Sequence, residues 1–310
     1  MTDSSVDTGP QARVRAELLA WTSPRPVVDH GLADRLRGAL QAGLAGVPVP
    51  EGQQLFLGKT ALAALVCDGR FLDLEEQPFA WTTPMLRGTV AHKAIETDWR
   101  TARSQPAATC VEWAWEELAQ VNGSLADALN DLDETGRRVL RGEAEQHVLD
   151  MRAAWPVLPP GVEVRFEPTL RHTSGDGRVA IQGRPDLVLG RIDPEHARML
   201  VLDFKTGVPR PDAELQEARL YALLTTLRYG VPPFRWGVYN VPENSWVTED
   251  LSEEALRSAV RRVIDGAVRA AELTFGTVRE QDLRLVAGAW CNWCGREPFC
   301  EAARERRQDG

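Results

Sequence analysis

The stretch 183–207 constrains the fold most, because it combines two apolar runs of strand length with charged side chains. Asp186 precedes the first run, and Asp203 stands inside the second. Ionised groups are rarely placed on a core strand without a partner, since removing them from water is costly. Two carboxylates that converge from neighbouring strands usually share a divalent metal. Lys205 follows Asp203 by two residues and therefore shares its face of the strand, which sets a cation beside a metal-binding acid.

The spacing of these charged residues resembles that of a known family. Pro185-Asp186 and, 17 residues after that aspartate, Asp203-Phe204-Lys205 are similar to the motif of the PD-(D/E)XK nuclease superfamily, and Asp-Phe-Lys-Thr-Gly resembles its RecB-type branch. The resemblance implies that Asp186, Asp203 and the backbone carbonyl of Phe204 hold Mg²⁺ or Mn²⁺. It assigns to Lys205 the positioning of the attacking water or the offsetting of transition-state charge. The alternative is a salt-bridged Asp/Lys pair on a structural strand.

A predicted helix upstream of both acids carries a histidine. Gly88, His92 and Glu96 recur every four residues, which sets them on one face of that helix. A lone histidine on a helix is usually an ordinary residue, but Gly-x3-His ahead of the nuclease core resembles the first motif of the RecB-type branch. The resemblance implies that His92 is a further metal ligand and catalytic residue, and that Glu96 orients it.

A second helix is predicted after the aspartate–lysine strand, through residue 227 with Gly230 as its stop. In the RecB-type branch a Gln-x3-Tyr pattern on this helix contacts the substrate. Here Glu217 lies four residues before Tyr221, and Gln216 is one position further back. The resemblance therefore implies substrate contacts for Tyr221 and for Gln216, with the glutamine displaced by one residue.

Three thiols close together mark the carboxyl-terminal part of the sequence. Cys291, Cys294 and Cys300 follow a Cys-x2-Cys-x5-Cys pattern. In a reducing compartment such a group indicates a metal centre, but three thiolates do not complete a four-thiolate site. The fourth ligand must come from elsewhere, and Cys67 or Cys110 could supply it.

This cysteine pattern resembles that of AddB-like and CRISPR-associated RecB-like nucleases. The resemblance implies that Cys67, at the end of a first helix, joins the three later cysteines in holding a [4Fe–4S] cluster. The cluster would clasp the amino- and carboxyl-terminal segments, and Trp290, Trp293 and Phe299 would shield it from water. The alternative is a structural Zn²⁺ with the same ligands.

The order of the predicted elements indicates an α/β fold. Helix, three strands, helix and strand (αβββαβ) is the order of the PD-(D/E)XK restriction-endonuclease-like core, a mixed central sheet flanked by helices. Residues 1–11 are predicted to be a disordered tail, and residues 12–310 a single nuclease domain. Within that domain we expect a helical insertion at about 108–155, a catalytic sheet core at about 161–245 with its second strand across 179–189, and a carboxyl-terminal helix with the cysteine cluster at about 251–302.

Composition limits the compartment and the mode of DNA contact. A net charge of −9 has the wrong sign for coating DNA by bulk electrostatics, although metal ions and a local arginine-lined groove can carry a contact. The amino terminus lacks a secretory pattern, and no apolar run approaches the ~18 residues of a membrane span. Five cysteines are an odd number for a disulfide framework, so we expect a cytoplasmic protein with no membrane partner.

Together these features predict a metal-dependent deoxyribonuclease, a RecB-like exonuclease that acts on single-stranded DNA or DNA ends, for example in DNA repair. The sequence carries no helicase motor, so unwinding would need a helicase or another protein partner. The alternative is a catalytically silent DNA-binding or scaffold subunit of a nuclease–helicase or defence complex. A nucleotide hydrolase using Gly58-Lys59-Thr60 is disfavoured, because five residues rather than four separate the glycines of that stretch.

Overall fold

The computed structural model describes residues 9–121, 123–207, 211–276 and 278–309. The α-helices are α1 (Gly9–Arg13), α2 (Leu32–Leu44), α3 (Lys59–Ala64), α4 (Asp68–Glu76), α5 (Thr83–Arg100), α6 (Ala107–Gln120), α7 (Ser124–Asn130), α8 (Glu134–Ala154), α9 (Pro211–Tyr229), α10 (Glu253–Thr274) and α11 (Glu301–Asp309). The strands are β1 (Leu55–Leu57), β2 (Val164–Phe166), β3 (Leu170–Thr173), β4 (Val179–Gly183), β5 (Leu187–Leu189), β6 (Leu200–Lys205), β7 (Arg235–Asn240) and β8 (Ser245–Asp250).

The larger sheet has five strands in the order β2-β5-β6-β7-β8, with β6 in the middle. Strands β6 and β7 are parallel and are connected through α9, whereas the other neighbours are antiparallel. The first five residues of β6 are buried, as expected for a nearly continuous apolar run on a strand covered on both faces. The predicted α/β fold with a mixed sheet is therefore confirmed, and Asp203 lies on its central strand.

The segment 179–189 forms two strands rather than the single predicted strand. Strand β4 belongs to a second sheet of order β1-β4-β3, whereas β5 pairs with β2 and β6 in the larger sheet. Pro185 lies between the two strands. Because it has no backbone N–H and restricts the backbone of Arg184, the hydrogen-bond ladder of β4 cannot continue through it. The chain therefore leaves one sheet and enters the other just before Asp186.

The smaller sheet also contains a strand that the sequence did not reveal. Residues 55–57 form β1, parallel to β4 and directly ahead of α3. Its three residues alternate buried and exposed, and a run this short falls below the length at which alternation identifies a strand. Strand β1 leads directly into α3. The first residue of α3, Lys59, therefore lies close to β6 of the larger sheet, with its ammonium 3.4 Å from the Asp203 carboxylate.

Helices cover the sheets, and their boundaries follow local chemistry. The predicted helical region near 108–155 consists of α6, α7 and α8, and α5 packs against α6 and α8. Gly230 follows α9 with a φ of +74°, the left-handed conformation that ends helices readily at glycine. The Ser252 hydroxyl accepts a hydrogen bond from the backbone amide of Ala255, 3.3 Å away, and caps α10. None of the described helices is long and apolar enough to span a bilayer.

The amino-terminal segment becomes helical earlier than predicted. Residues 1–8 of the predicted disordered tail lie outside the described residues, but α1 already begins at Gly9. The Gln11 side-chain amide donates a hydrogen bond of 3.0 Å to the Arg152 carbonyl on α8, so this turn is held against the helical layer. The tail prediction was therefore wrong for residues 9–11.

An aromatic cluster joins the helical layer to the central sheet. The Trp155 side chain, fully buried at the end of α8, packs edge-on against Phe204 and Tyr239, with ring centroids 6.5 Å and 5.3 Å away. Such edge-to-face pairs add to the area they bury and hold the rings in one orientation. Because Phe204 points into this cluster, its neighbours Asp203 and Lys205 must point to the opposite face of β6.

Candidate active site and cysteine pocket

Two aspartates, a histidine and a lysine come together where β5 and β6 meet α5. The Asp186 carboxylate accepts a hydrogen bond of 2.5 Å from the backbone amide of Phe204, which ties the two acid-bearing strands together. The imidazole Nδ1 of His92 lies 3.1 Å from the other oxygen of Asp186. Asp186 is only 9% exposed and Asp203 only 2%. The residues predicted to form one site therefore do lie together, on a largely buried part of the sheet where β5 and β6 are neighbours.

The environment of His92 favours its charged form. Burial by itself lowers the pKa of an imidazole, but the Asp186 carboxylate beside it outweighs burial, and the pKa of His92 is raised above its ordinary value. The Asp203 and Glu167 carboxylates add to this effect. In the absence of a cation, His92 thus takes the role of counter-charge to the acids around it.

Glu167, which the sequence analysis did not identify, completes this acidic group. One donor atom each from His92, Glu167 and Asp186 all lie within 4.8 Å of one another. Burial, opposed by Arg184 and reinforced by Asp186, raises the pKa of Glu167. Its backbone amide donates a hydrogen bond of 3.0 Å to the Asp186 carbonyl, and its φ of +43° is uncommon for a residue other than glycine. The sequence signal was an acid directly after the alternating strand β2.

A second lysine reaches the site from outside the predicted motif. The Lys205 ammonium lies 2.6 Å from one oxygen of Asp203, and the Lys59 ammonium lies 3.4 Å from the other. Glu217 on α9 lies 3.1 Å from Lys205 and 3.9 Å from Lys59. Burial lowers the pKa of each lysine, but the surrounding carboxylates, Asp203 first, raise it above the ordinary value, so both lysines remain charged.

Two predicted helpers of the site occupy other positions. Glu96 does not orient His92, since its carboxylate pairs with Lys93 at 3.4 Å and with Arg100. Two residues one helical turn apart lie on the same face, but each can contact different neighbours. Tyr221 is 1% exposed, and the Lys59 ammonium lies 5.6 Å from the centre of its ring. Because Tyr221 is buried, it has no surface for the predicted substrate contact. Its ring instead packs beside the Lys59 ammonium. Gln216 is partly exposed on the same helix.

The donor set of the site fits a hard divalent cation. Mg²⁺ and Mn²⁺ prefer carboxylate oxygens, and Mn²⁺ also accepts imidazole nitrogen. The Asp186 carboxylate is close enough to Glu167 to raise the pKa of that residue, and burial of Glu167 raises it further. A divalent cation between them would remove that penalty. His92, Glu167 and Asp186 are the residues that would hold such an ion, with Asp203 next to them.

The four predicted cluster ligands surround one cavity of about 470 Å³. Its wall contains Cys67, Cys291, Cys294 and Cys300. Backbone amides donate to two of the sulfurs: Val286 to Cys67 and Gly288 to Cys291, each over 3.4 Å. Cys110 is buried elsewhere, with its sulfur 3.9 Å from Asp98, so the alternative fourth ligand lies outside this cavity.

Charged side chains hold the two walls of the cysteine cavity together. Asp68, fully buried at the start of α4, receives hydrogen bonds from the Arg269 guanidinium and from the backbone amide of Arg284, the latter over 2.6 Å. Nearby, the Arg296 guanidinium pairs with Glu76. We call the group Asp68, Arg269 and Arg284 the Asp68 clasp. It joins the amino- and carboxyl-terminal segments through protein atoms alone.

Of the three aromatic residues predicted to shield the cysteines, Trp290 and Phe299 line the cysteine cavity, whereas Trp293 does not. Trp293 is 67% exposed and Phe299 is 85% exposed. Trp290 does line the cysteine cavity, and its indole N–H donates to the Val286 carbonyl over 3.1 Å. Trp293 lies in a short 3₁₀-helix (Ala289–Trp293) and lines a neighbouring groove instead.

The sequence matches the family described as the PD-(D/E)XK nuclease superfamily over residues 69–301, which include His92 and the acids of the candidate active site and the thiols of Cys291, Cys294 and Cys300, but not Cys67. The chain belongs to this superfamily. The superfamily prediction is thus confirmed, whereas the RecB-type branch and the iron–sulfur cluster stay predictions. A search of curated proteins finds no significant relative.

Solved structures with similar outlines include a candidate exonuclease from Eubacterium rectale, with 10% identity, coverage of 81% of this chain and 88% of that one, and a TM-score of 0.43. The protein SSO0001 shows 14% identity, coverage of 86% and 94%, and a TM-score of 0.30. TM-scores this low do not establish a shared fold on their own.

Proposed function

We propose that this protein is a metal-dependent nuclease that hydrolyses phosphodiester bonds in DNA. One observation carries the proposal: two lysines flank the Asp203 carboxylate next to the group of His92, Glu167 and Asp186, of which Asp186 is buried and the other two are partly buried. A structural salt bridge would need one cation for one acid. Three carboxylates and an imidazole, with two of the carboxylates buried and two ammonium groups beside them, instead match a metal site facing a phosphate.

The residues have distinct roles in this reaction. A bound Mg²⁺ or Mn²⁺ would polarise the phosphate and lower the pKa of the attacking water. Asp186, Glu167 and His92 supply its ligands, and Asp203 lies in position to share in binding. Lys205 and Lys59 present ammonium groups to the charge that develops on the phosphate oxygens. Glu217 lies within 4 Å of both lysines and keeps them charged and oriented.

We further propose that Cys67, Cys291, Cys294 and Cys300 bind a [4Fe–4S] cluster. Zinc–sulfur bonds of about 2.3 Å hold four thiolates within about 4 Å of one another. Among the described residues, no three cysteine sulfurs lie within 4.8 Å of each other, although all four thiols face the same cavity. Four thiols around one cavity suit a multi-iron cluster, in which each thiolate binds its own iron, and a structural Zn²⁺ with the same ligands is the alternative.

The cysteine pocket and the candidate metal site are what support our assignment to the RecB-type exonuclease branch. We infer that the substrate is single-stranded DNA or a DNA end, and that a helicase partner supplies unwinding where it is needed. A cytoplasmic location suits the free thiols. The competing function, a silent DNA-binding scaffold, requires loss of an acid or lysine, whereas every such group is present and oriented into the site.

Degradation of labelled single-stranded DNA tests the proposal. The protein is purified without oxygen, its visible spectrum is recorded, and cleavage is followed with Mg²⁺, with Mn²⁺ and with EDTA. We expect metal-dependent cleavage that Lys205→Ala lowers by at least about 100-fold, the scale of removing one group that stabilises transition-state charge. Lys93→Ala is the matched control, because Lys93 also bridges two glutamates but lies outside the site.

The outcomes separate the two functions. Cleavage by the wild type and by Lys93→Ala, lost in Lys205→Ala and in EDTA, supports the nuclease. If the wild type with its cluster intact cleaves neither single strands nor DNA ends with either metal, the nuclease proposal is wrong and the scaffold function replaces it.

A further inference from the structure

A groove of about 510 Å³ leads from the candidate active site toward the cysteine-bearing segment. At one end it is lined by Glu217, which contacts both active-site lysines. At the other end it is lined by Trp290 and Trp293. Glu217 thus belongs both to the wall of the groove and to the surroundings of the two lysines, so a strand bound over Lys59 and Lys205 can extend into the groove toward the indoles.

The wall of the groove is aromatic where it is most exposed. Trp293 is 67% exposed, an unusual position for an indole, because large aromatic side chains normally bury most of their surface. Trp293 lines this groove and not the cysteine cavity, so protection of the cysteines does not account for it. An exposed aromatic face beside a phosphate site is the feature on which nucleic-acid bases stack.

Arginines accompany the two indoles along the groove. The Arg70 guanidinium lies 5.6 Å from the ring centre of Trp290, which holds a positive charge over the aromatic face. Arg262 donates to the Gln216 carbonyl over 3.1 Å, and both residues line the groove. Stacking of bases on indoles, with phosphates near guanidinium groups, is the pattern of single-strand binding. Glu214 and Glu217 also line the groove and balance the charge of the two arginines, so the indoles are the main contact that it offers to a strand.

We propose that this groove binds the single-stranded nucleotides that flank the scissile phosphate, with a base stacked on Trp293 and the backbone near Arg262. The proposal rests on the nuclease function and deepens it, since it names an unpaired strand as the substrate. A base-paired strand would not satisfy the groove, because its bases are already stacked on one another and cannot offer a face to the indole. The groove thus selects single strands over duplex.

Binding of a fluorescein-labelled deoxythymidine oligonucleotide, measured by anisotropy in Ca²⁺ on the Lys205→Ala background, tests the groove directly. Trp293→Ala should weaken binding by about fivefold to about 150-fold, the range for loss of one base–aromatic stack. Trp293→Phe should recover most of the affinity, because it keeps an aromatic face. Trp113→Ala is the matched control: Trp113 is 43% exposed on α6 and does not line the groove.

Oligonucleotides with a single abasic position, moved one nucleotide at a time, provide a test that does not depend on the stability of a variant. We expect an abasic site at one position to lower the affinity of the Lys205→Ala protein. In the protein that also carries Trp293→Ala, the same abasic site should lower the affinity little further. The visible spectrum of every variant is recorded, so loss of the cluster is separated from loss of stacking.

The proposed function and the groove fail in different ways. Hydrolysis of the small ester thymidine 5′-(p-nitrophenyl phosphate) by the wild type reports on the metal site alone, so absence of hydrolysis there counts against the nuclease. Equal affinities for Trp293→Ala and Trp113→Ala, or uniform affinity across the abasic series, would overturn the proposal that the groove binds nucleotides. This conclusion would hold whether or not the ester is hydrolysed. Equal affinity for single-stranded and duplex DNA would overturn the selectivity.

Discussion

Replacing Asp68 with asparagine should destabilise the protein measurably, because the carboxylate is the centre of the Asp68 clasp. Asp68 is fully buried, and the Arg269 side chain beside it is only 16% exposed. Removing one partner of a buried ion pair leaves an uncompensated charge and costs about 3–5 kcal/mol. Arg269 keeps a second partner, Glu272, at 2.9 Å, and Arg284 is 61% exposed. We therefore expect the lower end of that range, about 3 kcal/mol.

The corresponding change in melting temperature follows from chain length. Unfolding entropy of about 2.1 cal/mol/K per residue gives a chain of 310 residues about 0.65 kcal/mol/K. A loss of about 3 kcal/mol at neutral pH should thus lower the melting temperature by about 5 °C in scanning calorimetry. Glu254→Gln is the control: its partner is Arg261, both side chains are more than half exposed, and such pairs contribute about 0–1 kcal/mol.

The effect of Asp68→Asn should also depend on pH. Burial alone would raise the pKa of Asp68, but the Arg269 and Arg284 hydrogen bonds outweigh it and hold the pKa below its ordinary value. A carboxyl whose pKa is lowered by folding stabilises the native state above the ordinary value near 3.9, and this contribution is lost as pH falls through the folded-state pKa. The difference between wild type and variant should shrink below about pH 4. Equal melting temperatures at pH 7 would refute the clasp.

Three further changes have defined outcomes. Cys67→Ser should lower the iron content of anaerobically purified protein, whereas Cys110→Ser should leave it unchanged, because only the first thiol faces the cysteine cavity; equal iron in both would contradict the ligand assignment. Gly237→Ala should destabilise the fold by more than about 1 kcal/mol, since its Cβ would lie 2.2 Å from the Val247 carbonyl oxygen; circular dichroism melts measure this, and an unchanged melt would show that β8 gives way freely. Lys59→Ala should lower DNA cleavage by about tenfold to about 100-fold without loss of the folded state, because it removes one of two ammonium groups from the phosphate site; wild-type rates would limit Lys59 to a structural role.

The central strand and the helix ends could be predicted because local chemistry determines them. An apolar run interrupted by one aspartate predicts a buried strand with a functional acid, and β6 has that arrangement. Ser252 and Gly230 mark helix ends through a side-chain cap and a left-handed residue, which need no distant partner. The proximity of Asp186, Asp203 and His92 was predicted from family resemblance, since nothing in their local sequence specifies which elements meet.

The remainder of the site depends on contacts between distant segments. Lys59 approaches Asp203 only because β1 pairs with β4, and the pairing of a three-residue strand leaves almost no periodic signal. For Glu96, helical spacing correctly predicted that it lies on the same helix face as His92. The spacing could not show that the Glu96 carboxylate would pair with Lys93 and Arg100 instead. Glu167 follows a recognisable strand, yet only the fold brings it to His92.

The cysteine cavity also has a consequence for the time course of protein synthesis. Cys67 is made 224 residues (291 − 67) before Cys291, the first of its three companions. At about 5–20 residues per second, Cys67 waits on the order of 10–45 s before the opposite wall of its cavity exists. During that interval its thiol lacks both the amide of Val286 and the cover of the later segment, and is open to oxidation. Arg269 and Arg284 emerge before Cys291, so the Asp68 clasp can close before the three later thiols of the cavity have been made.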